Sequence, residues 1–495
     1  MVLAADPFLI TLTLVGVVIV IAALLSGLIE RSGVPQVGVL LALGAILGPY
    51  GLGLIDTRLD SPVLRAVAIL SLALVLFTDA LSLDLAQIRR HLRLALLVLG
   101  PGTLLSAALI TLAAWWLLDL SWPSAAILGA ALASTDPVLL RGLLRRSGLP
   151  ADARQALRLE SGLNDVVLLP IVLVAMAFVA PQPEMEAARW SKMGLELFLL
   201  GPAAGVAVGL LGVATLDLVR RRLGMRRDYE SLYSLGLAFA AYAAAESLHS
   251  SGFLAAFAAG MTISTLDVEL CDCFQEYGET TAELALLLSF VLLGNSLIWS
   301  GFALADGRVL LFALIALFVR PVAFLVSLAP TRLDRKSLAL IAWFGPRGLS
   351  SLLLVLLPVF AGLPGSDRLF SLCSLVVLFS VLLHGGSIML LGRRATASDE
   401  APATPLPPGK KPVLPIVQSP APAGERIPER LGLEELRALW DAGEPVVLLD
   451  VRTQRSLEMS EHTTQGAIRI DPERPAQEAQ RLHLPKGAWL VAFCA

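Results

Sequence analysis

Apolar residues in this chain do not alternate with polar ones. They run on in stretches of roughly 17 to 25, each long enough to cross the ~30 Å hydrocarbon core of a bilayer as a helix. Such stretches recur near 8–29, 35–54, 63–83, 93–118, 123–144, 154–180, 194–219, 229–248, 251–266, 280–299, 307–329, 336–360 and 369–391, which predicts about 13 spans. The first of them exceeds a signal-peptide core in length and has no basic leader, so it reads as a span that is retained.

The basic residues test this count, because Lys and Arg gather on cytoplasmic loops. The loops after spans one, three, five, seven, eleven and thirteen hold Arg31, Arg89 to Arg93, Arg141 to Arg158, Arg220 to Arg227, Arg332 to Lys336, and Arg393 with Arg394. The opposite loops hold only Arg58, Arg65, Arg189, Lys192, Arg308 and Arg368. An odd number of spans with this bias places the N-terminus outside and the C-terminus in the cytoplasm of an inner, plasma-type membrane. The acidic loop after span nine does not change this, since Asp and Glu contribute little to orientation. Composition agrees: 56% of the residues are hydrophobic, 16% are charged and mean hydropathy is +0.75, against about 25% charged residues in soluble domains. A net charge of −3 gives no footprint for nucleic acid. The four cysteines make no disulfide framework, and the Cys271-x-Cys273 pair has no second ligand pair to complete a metal site.

The fifth and twelfth spans carry helix-breaking motifs that hold an ionisable residue. The fifth carries Ser134-Thr135-Asp136-Pro137, where the proline lacks a backbone donor and collides with the preceding turn. The twelfth carries Gly345-Pro346-Arg347-Gly348. With the seventh span as a divider, each break falls on the fifth member of a six-span half. Interruptions at matching positions of two halves point to a transport site at an inverted-repeat interface. Unwound backbone there offers carbonyl oxygens to a cation, and Asp136 and Arg347 can offset the partial charges of half-helix ends. Prolines alone could merely kink packed helices, but both of these breaks also carry an ionisable group.

The sixth span opens with Glu160-Ser161-Gly162-Leu163-Asn164-Asp165. Ser161 and Asp165 lie four residues apart and share a helix face, with Glu160 and Asn164 on a neighbouring one. A hydroxyl and a carboxylate are hard oxygen ligands, suited to Na⁺ at Asp165, Ser161 and Thr135 with unwound carbonyls completing the shell. One carboxylate that holds either a proton or a metal ion is the minimal chemistry of exchange. Ionisable groups inside spans otherwise need a cavity or a partner. Arg320, before Pro321 in the eleventh span, requires a counter-charge, and Glu160, read as structural, is the candidate. Glu246 and Asp79 fit a cavity and a solvated interface equally well.

Together these residues resemble the monovalent cation–proton antiporter superfamily in its NhaP and NHE branch. The likeness covers roughly residues 8 to 391. It is carried by Val34-Pro35-Gln36-Val37-Gly38 with Gly44 and Gly48-Pro49, Thr135-Asp136-Pro137, Glu160-Ser161 with Asn164-Asp165, Ala245-Glu246 with Ser251-Gly252-Phe253-Leu254-Ala255, Arg320-Pro321 and Arg347-Gly348. The resemblance implies that Asp165 carries the ion and the proton, that Thr135, Ser161 and Asp136 help form the site, and that Glu160 pairs with Arg320. It also implies that the Asn164-Asp165 pair accompanies electroneutral exchange of H⁺ for Na⁺, Li⁺ or K⁺, with no cofactor, in a homodimer. Many relatives place an acid directly after the phenylalanine near the end of the third span; here Phe77 is followed by Thr78, which sets Asp79 apart from a direct role.

The expected fold is an all-α polytopic membrane protein: about 13 transmembrane helices as two inverted six-helix repeats with two broken helices, followed by a small partial α/β tail. The expected domains are 1–394 for transport, a Pro/Ala-rich linker over 395–430, and a segment over 431–495. That last segment resembles the start of a rhodanese domain through Leu448-Leu449-Asp450-Val451-Arg452, Gly466-Ala467-Ile468 and a strand ending at Cys494. The chain stops one residue after this cysteine, so no sulfurtransferase activity is expected. The competing function is a membrane-anchored rhodanese-type sulfurtransferase or redox sensor. An anchor, however, has no need of two broken helices and several buried ionisable groups.

Overall fold

The computed structural model describes residues 36–49, 51–54, 57–83, 90–144, 149–179, 187–222, 227–266, 272–295, 297–331, 333–399, 433–451, 466–470 and 488–493, with isolated positions besides. The chain divides into two compact units, Met1–Ala401 and Pro402–Ala495.

The first unit is helical: α1 Gln36–Leu47, α2 Pro62–Leu81, α3 Leu92–Leu118, α4 Trp122–Ala133, α5 Pro137–Leu144, α6 Ala151–Val179, α7 Gly201–Arg222, α8 Arg227–Ser247, α9 Gly252–Thr265, α10 Asp272–Asn295, α11 Gly307–Leu328, α12 Arg335–Trp343, α13 Leu349–Phe360 and α14 Ser366–Asp399. Seven helical stretches among the described residues are long and apolar enough to cross a membrane, and four shorter apolar helices accompany them. The long stretches fall on the third, fourth, sixth, seventh, tenth, eleventh and thirteenth expected intervals, and the short ones on the second, fifth, ninth and twelfth. The eighth interval is α8; the first lies outside the described residues apart from isolated positions.

Local chemistry explains the short helices. α4 starts at a serine cap, with Ser124 N–H donating to Ser121 Oγ, and stops at Ala133, whose carbonyl the ring of Pro137 four residues on would strike in a continued helix. Pro137 then opens α5, where its missing N–H leaves nothing unsatisfied. Residues 344–348 are likewise non-helical between α12 and α13. α3 absorbs Pro101 differently, by widening to a π-helix over Val98–Thr103. Thr103 Oγ1 donates 3.0 Å to Val98 O within that turn.

The second unit has one helix, α15 Leu433–Asp441, and three strands, β1 Val446–Asp450, β2 Ile468–Arg469 and β3 Trp489–Phe493. β1 lies between β2 and β3, parallel to both, pairing Leu449 with Ile468 and Val446 with Trp489. Parallel pairing needs crossover connections, as in an α/β module. Cys494 lies outside the described residues.

Candidate functional site: two crossed helix breaks and a buried carboxylate

The two interrupted segments meet. Asp136 N–H donates 2.9 Å to Pro346 O, joining the unwound residues of one break to those of the other. Each break then supplies the charge that the other's helix end lacks. Asp136 Oδ2 accepts from Leu349 N–H at 2.7 Å, at the start of α13, where free N–H groups leave partial positive charge. Arg347 Nη1 donates to Ala133 O at 2.9 Å and to Ser134 O at 3.3 Å, at the end of α4, where free carbonyls leave partial negative charge. Ser351 Oγ also donates to Ser134 O, at 3.3 Å. From α14, Ser380 Oγ accepts from Arg347 N–H at 2.7 Å and contacts His384 Nδ1 at 3.1 Å.

The glycines of the second break permit this approach. A Cβ on Gly348 would overlap the Asp136 carboxylate, and one on Gly345 would overlap the Arg320 guanidinium. Here glycine serves as the absence of a side chain, since Gly348 has φ −153°.

Asp165 sits beside the crossing, midway along α6 and 4% exposed. Ser134 Oγ donates to Asp165 Oδ1 at 2.5 Å. Among the described residues no Lys or Arg is ion-paired with it. Asn164, one position earlier, donates from Nδ2 to Thr135 Oγ1 at 2.6 Å and to Thr135 O at 3.4 Å, so α6 holds the first break in place. Asn164 Oδ1 is buried without a hydrogen-bond partner among the described residues.

Glu160 and Arg320, each 1% exposed, form a two-pronged ion pair: Nη1 donates to Oε1, and Nη2 donates to Oε2 at 2.7 Å. Nη2 also donates to Ile341 O at 2.9 Å and Phe344 O at 3.2 Å, at the end of α12, while the guanidinium lies 3.9 Å from the Phe324 ring centre. Arg320 thus neutralises a carboxylate and caps the helix that leads into the second break.

Asp136, Asn164, Asp165 and Thr135 therefore converge with Arg347, and Glu160 joins Arg320. Ser161, four residues before Asp165 on α6, donates its hydroxyl to Arg158 O at 3.4 Å within its own helix and keeps its lone pairs. Sequence reasoning missed Ser134 and Ser380. Adjacency to the first breaker was the available signal for Ser134, whereas Ser380 lies in an apolar stretch that offered none. Glu246 Oε1 accepts from Gly252 N–H at 3.1 Å, capping α9, and Thr78 Oγ1 donates to Leu74 O and Val75 O in its own helix. Among the described residues no three His, Cys, Asp or Glu side chains group as a resident metal site.

Comparison with known proteins places this arrangement. The chain is 27% identical over 393 residues to the K(+)/H(+) antiporter NhaP of Alkalimonas amylolytica, covering 77% of this chain and 66% of that one. It is 29% identical over 399 residues to the K(+)/H(+) antiporter NhaP2 of Shewanella baltica, again spanning 66% of that relative's length, and 28% identical over 365 residues to the Na(+)/H(+) antiporter NhaH of Halobacillus dabanensis, spanning 88% of it. Its fold is similar to that of the sodium proton antiporter MjNhaP1 from Methanocaldococcus jannaschii, with a TM-score of 0.62 at 21% identity over 76% of this chain and 97% of that one. Residues 17–394, well over half of the chain, match the family described as sodium/hydrogen exchanger, transmembrane, and the chain belongs to that family.

Proposed function

We infer that this protein is a secondary transporter that exchanges a monovalent cation for protons across the membrane by alternating access, with cation and proton competing for Asp165. One observation carries the reading. The charges of the two crossed helix ends are already met by Asp136 and Arg347, which leaves Asp165 as a buried carboxylate held by the Ser134 hydroxyl, with no basic partner among the described residues. A buried anion without a counter-ion is costly. It is relieved equally by a proton or by a cation, and a site satisfied by either but not by both together couples their movements.

In this reading Thr135, Ser161 and Asn164 belong to the surroundings of the ion at Asp165, and Glu160, Arg320 and Arg347 keep the scaffold in shape. The relatives named above divide between K⁺ and Na⁺, so the substrate is given as the class of monovalent cations. The Asn164-Asp165 pair supports one-for-one, electroneutral exchange. The expected setting is a homodimer in a bacterial inner membrane, N-terminus outside and C-terminus in the cytoplasm, as the distribution of Lys and Arg indicates.

The decisive experiment uses the full chain in proteoliposomes with a trapped pH dye. Adding Na⁺, Li⁺ or K⁺ outside should move protons in the wild type, and Asp165→Asn should abolish that movement while the variant purifies as a folded protein. Undiminished cation-driven proton movement in Asp165→Asn would remove the basis of the reading.

A further inference from the structure

We propose that His384 is a positioning residue for exchange: as a neutral imidazole it takes the Ser380 hydroxyl proton at Nδ1, which aims the Ser380 lone pairs at the Arg347 backbone N–H and braces the second helix break. This rests on the exchange reading and deepens it, by giving a role to a buried imidazole outside the hydrogen bonds of Asp165.

The unwound backbone creates the need for a brace. Residues 344–348 are non-helical, and inside a membrane each N–H freed from a helix must find another acceptor. Gly345 N–H donates locally, to Trp343 O at 3.0 Å. Arg347 N–H instead reaches across to α14, donating 2.7 Å to Ser380 Oγ, and both residues are buried. On the other flank of the break Trp343, the last residue of α12, donates from Nε1 to Ser387 Oγ at 3.3 Å. Ser380, His384 and Ser387 follow one another at helical spacing and share one face of α14. That stripe holds the break from both sides.

The state of His384 follows from its partners. Among the described residues Ser380 Oγ has two: Arg347 N–H, which can only donate, and His384 Nδ1 at 3.1 Å. The hydroxyl accepts from the first, so its own hydrogen has one acceptor left, a bare Nδ1. A proton on Nδ1 could be given to Ser380 O at 3.3 Å. The Ser380 hydrogen would then be buried with no acceptor, and an unmade buried hydrogen bond costs more than the longer one gains. One ordered chain results, from Arg347 N–H to Ser380 Oγ and from Ser380 O–H to His384 Nδ1. The Trp343 ring, centred 5.7 Å from the imidazole, flanks it.

Arg347 is where this chain meets the exchange site. Its guanidinium donates to Ala133 O and Ser134 O, and the Ser134 hydroxyl holds Asp165. Its neighbour Pro346 receives Asp136 N–H. A backbone shift at Arg347 therefore moves groups on both sides of the crossing, and the brace on α14 opposes it. Neutral hydrogen bonds do so without adding a charge beside those of Arg347 and Asp136.

The test joins a double-mutant cycle to a measurement of the tautomer, on the full chain. Cation-driven proton movement in proteoliposomes and thermal midpoint in detergent are compared for wild type, Ser380→Ala, His384→Leu, the double variant and His384→Asn. Either single loss breaks the same chain, so each should lower the maximal rate roughly tenfold. The double variant should be little worse than either, in rate and in midpoint. Losses that multiply would mean two independent packing roles and would sink the proposal. His384→Asn places an amide oxygen near the position of Nδ1 and should recover most of what His384→Leu loses, a gain that a space-filling role would not give. Should the leucine variant not fold, nitrogen NMR of histidine-labelled protein decides, with the His384 signal identified by its absence from His384→Asn. A neutral ring protonated on Nε2 is expected; a proton on Nδ1 overturns the assignment. A wild type that exchanges no cation would overturn the exchange reading, while the cycle in thermal midpoint and the tautomer would still decide the brace.

Discussion

Asp136 and Arg347 hold exchanged positions: the aspartate that precedes α5 binds the first N–H of α13, and the arginine that precedes α13 binds the last carbonyls of α4. Each charge serves the helix that crosses it. A half-helix end carries roughly half an elementary charge, so the two breaks in one low-dielectric region are neutral only as a pair.

Replacing either member should therefore damage both breaks. Arg347→Ala leaves Ala133 O without its donor, Ser134 O with only that of Ser351, and Asp136 without the arginine that balances it. Loss of the buried, charged hydrogen bonds should cost on the order of 3 kcal/mol or more. Heating detergent-solubilised protein and following the surviving folded fraction by size-exclusion chromatography should show a clear fall in midpoint. Arg347→Lys should recover only part of it, since an ammonium cannot reproduce the planar fork.

Gly348→Ala tests the close approach directly. Its Cβ would overlap the Asp136 carboxylate, against which backbone cannot yield without opening the crossing. The variant should lose transport while Gly362→Ala, at a turn with open space but φ +64°, should lose only a little stability and keep it. Equal transport in the two glycine variants would show that the crossing tolerates separation.

The Glu160–Arg320 pair should behave as scaffold. Removing one partner, as in Glu160→Gln or Arg320→Ala, leaves an uncompensated buried charge and should cost about 3–5 kcal/mol of stability. Fraction that does fold should keep a Km for the cation near the wild-type value. A large rise in Km with undiminished thermal stability would place Glu160 in the ion path instead.

Glu246 is a helix cap and should matter little to transport. Glu246→Gln keeps an oxygen for Gly252 N–H, so both stability and exchange should stay close to wild type, within roughly 0.5 kcal/mol for the former. Abolished exchange in this variant would give Glu246 a place in the cavity.

Truncation after Ala401, at the division between the two compact units, should leave cation-driven proton movement intact in proteoliposomes. Loss of exchange from protein that still purifies as a folded species would make the second unit essential to transport.

The sequence by itself determined where the long apolar helices lie and where two of them stop. Unbroken apolar runs, a proline at 137 and the Gly-Pro-Arg-Gly of 345–348 act over a few residues, so their consequences are local and can be read in one pass. It also showed which residues bear charge inside spans, because such groups are rare enough there to stand out. Only the tertiary structure decided which groups meet. Asp136 reaches a residue 213 positions away and Glu160 reaches one 160 away, separations at which periodicity carries no information. The same limit explains Ser161 and Ser134. Helical spacing put Ser161 on the face of Asp165, yet its hydroxyl turned back to Arg158 O, whereas Ser134, on another helix and with nothing periodic to mark it, donates to the carboxylate. Spacing along one helix fixes the side on which a group emerges; the partner it finds there depends on the packing of the others.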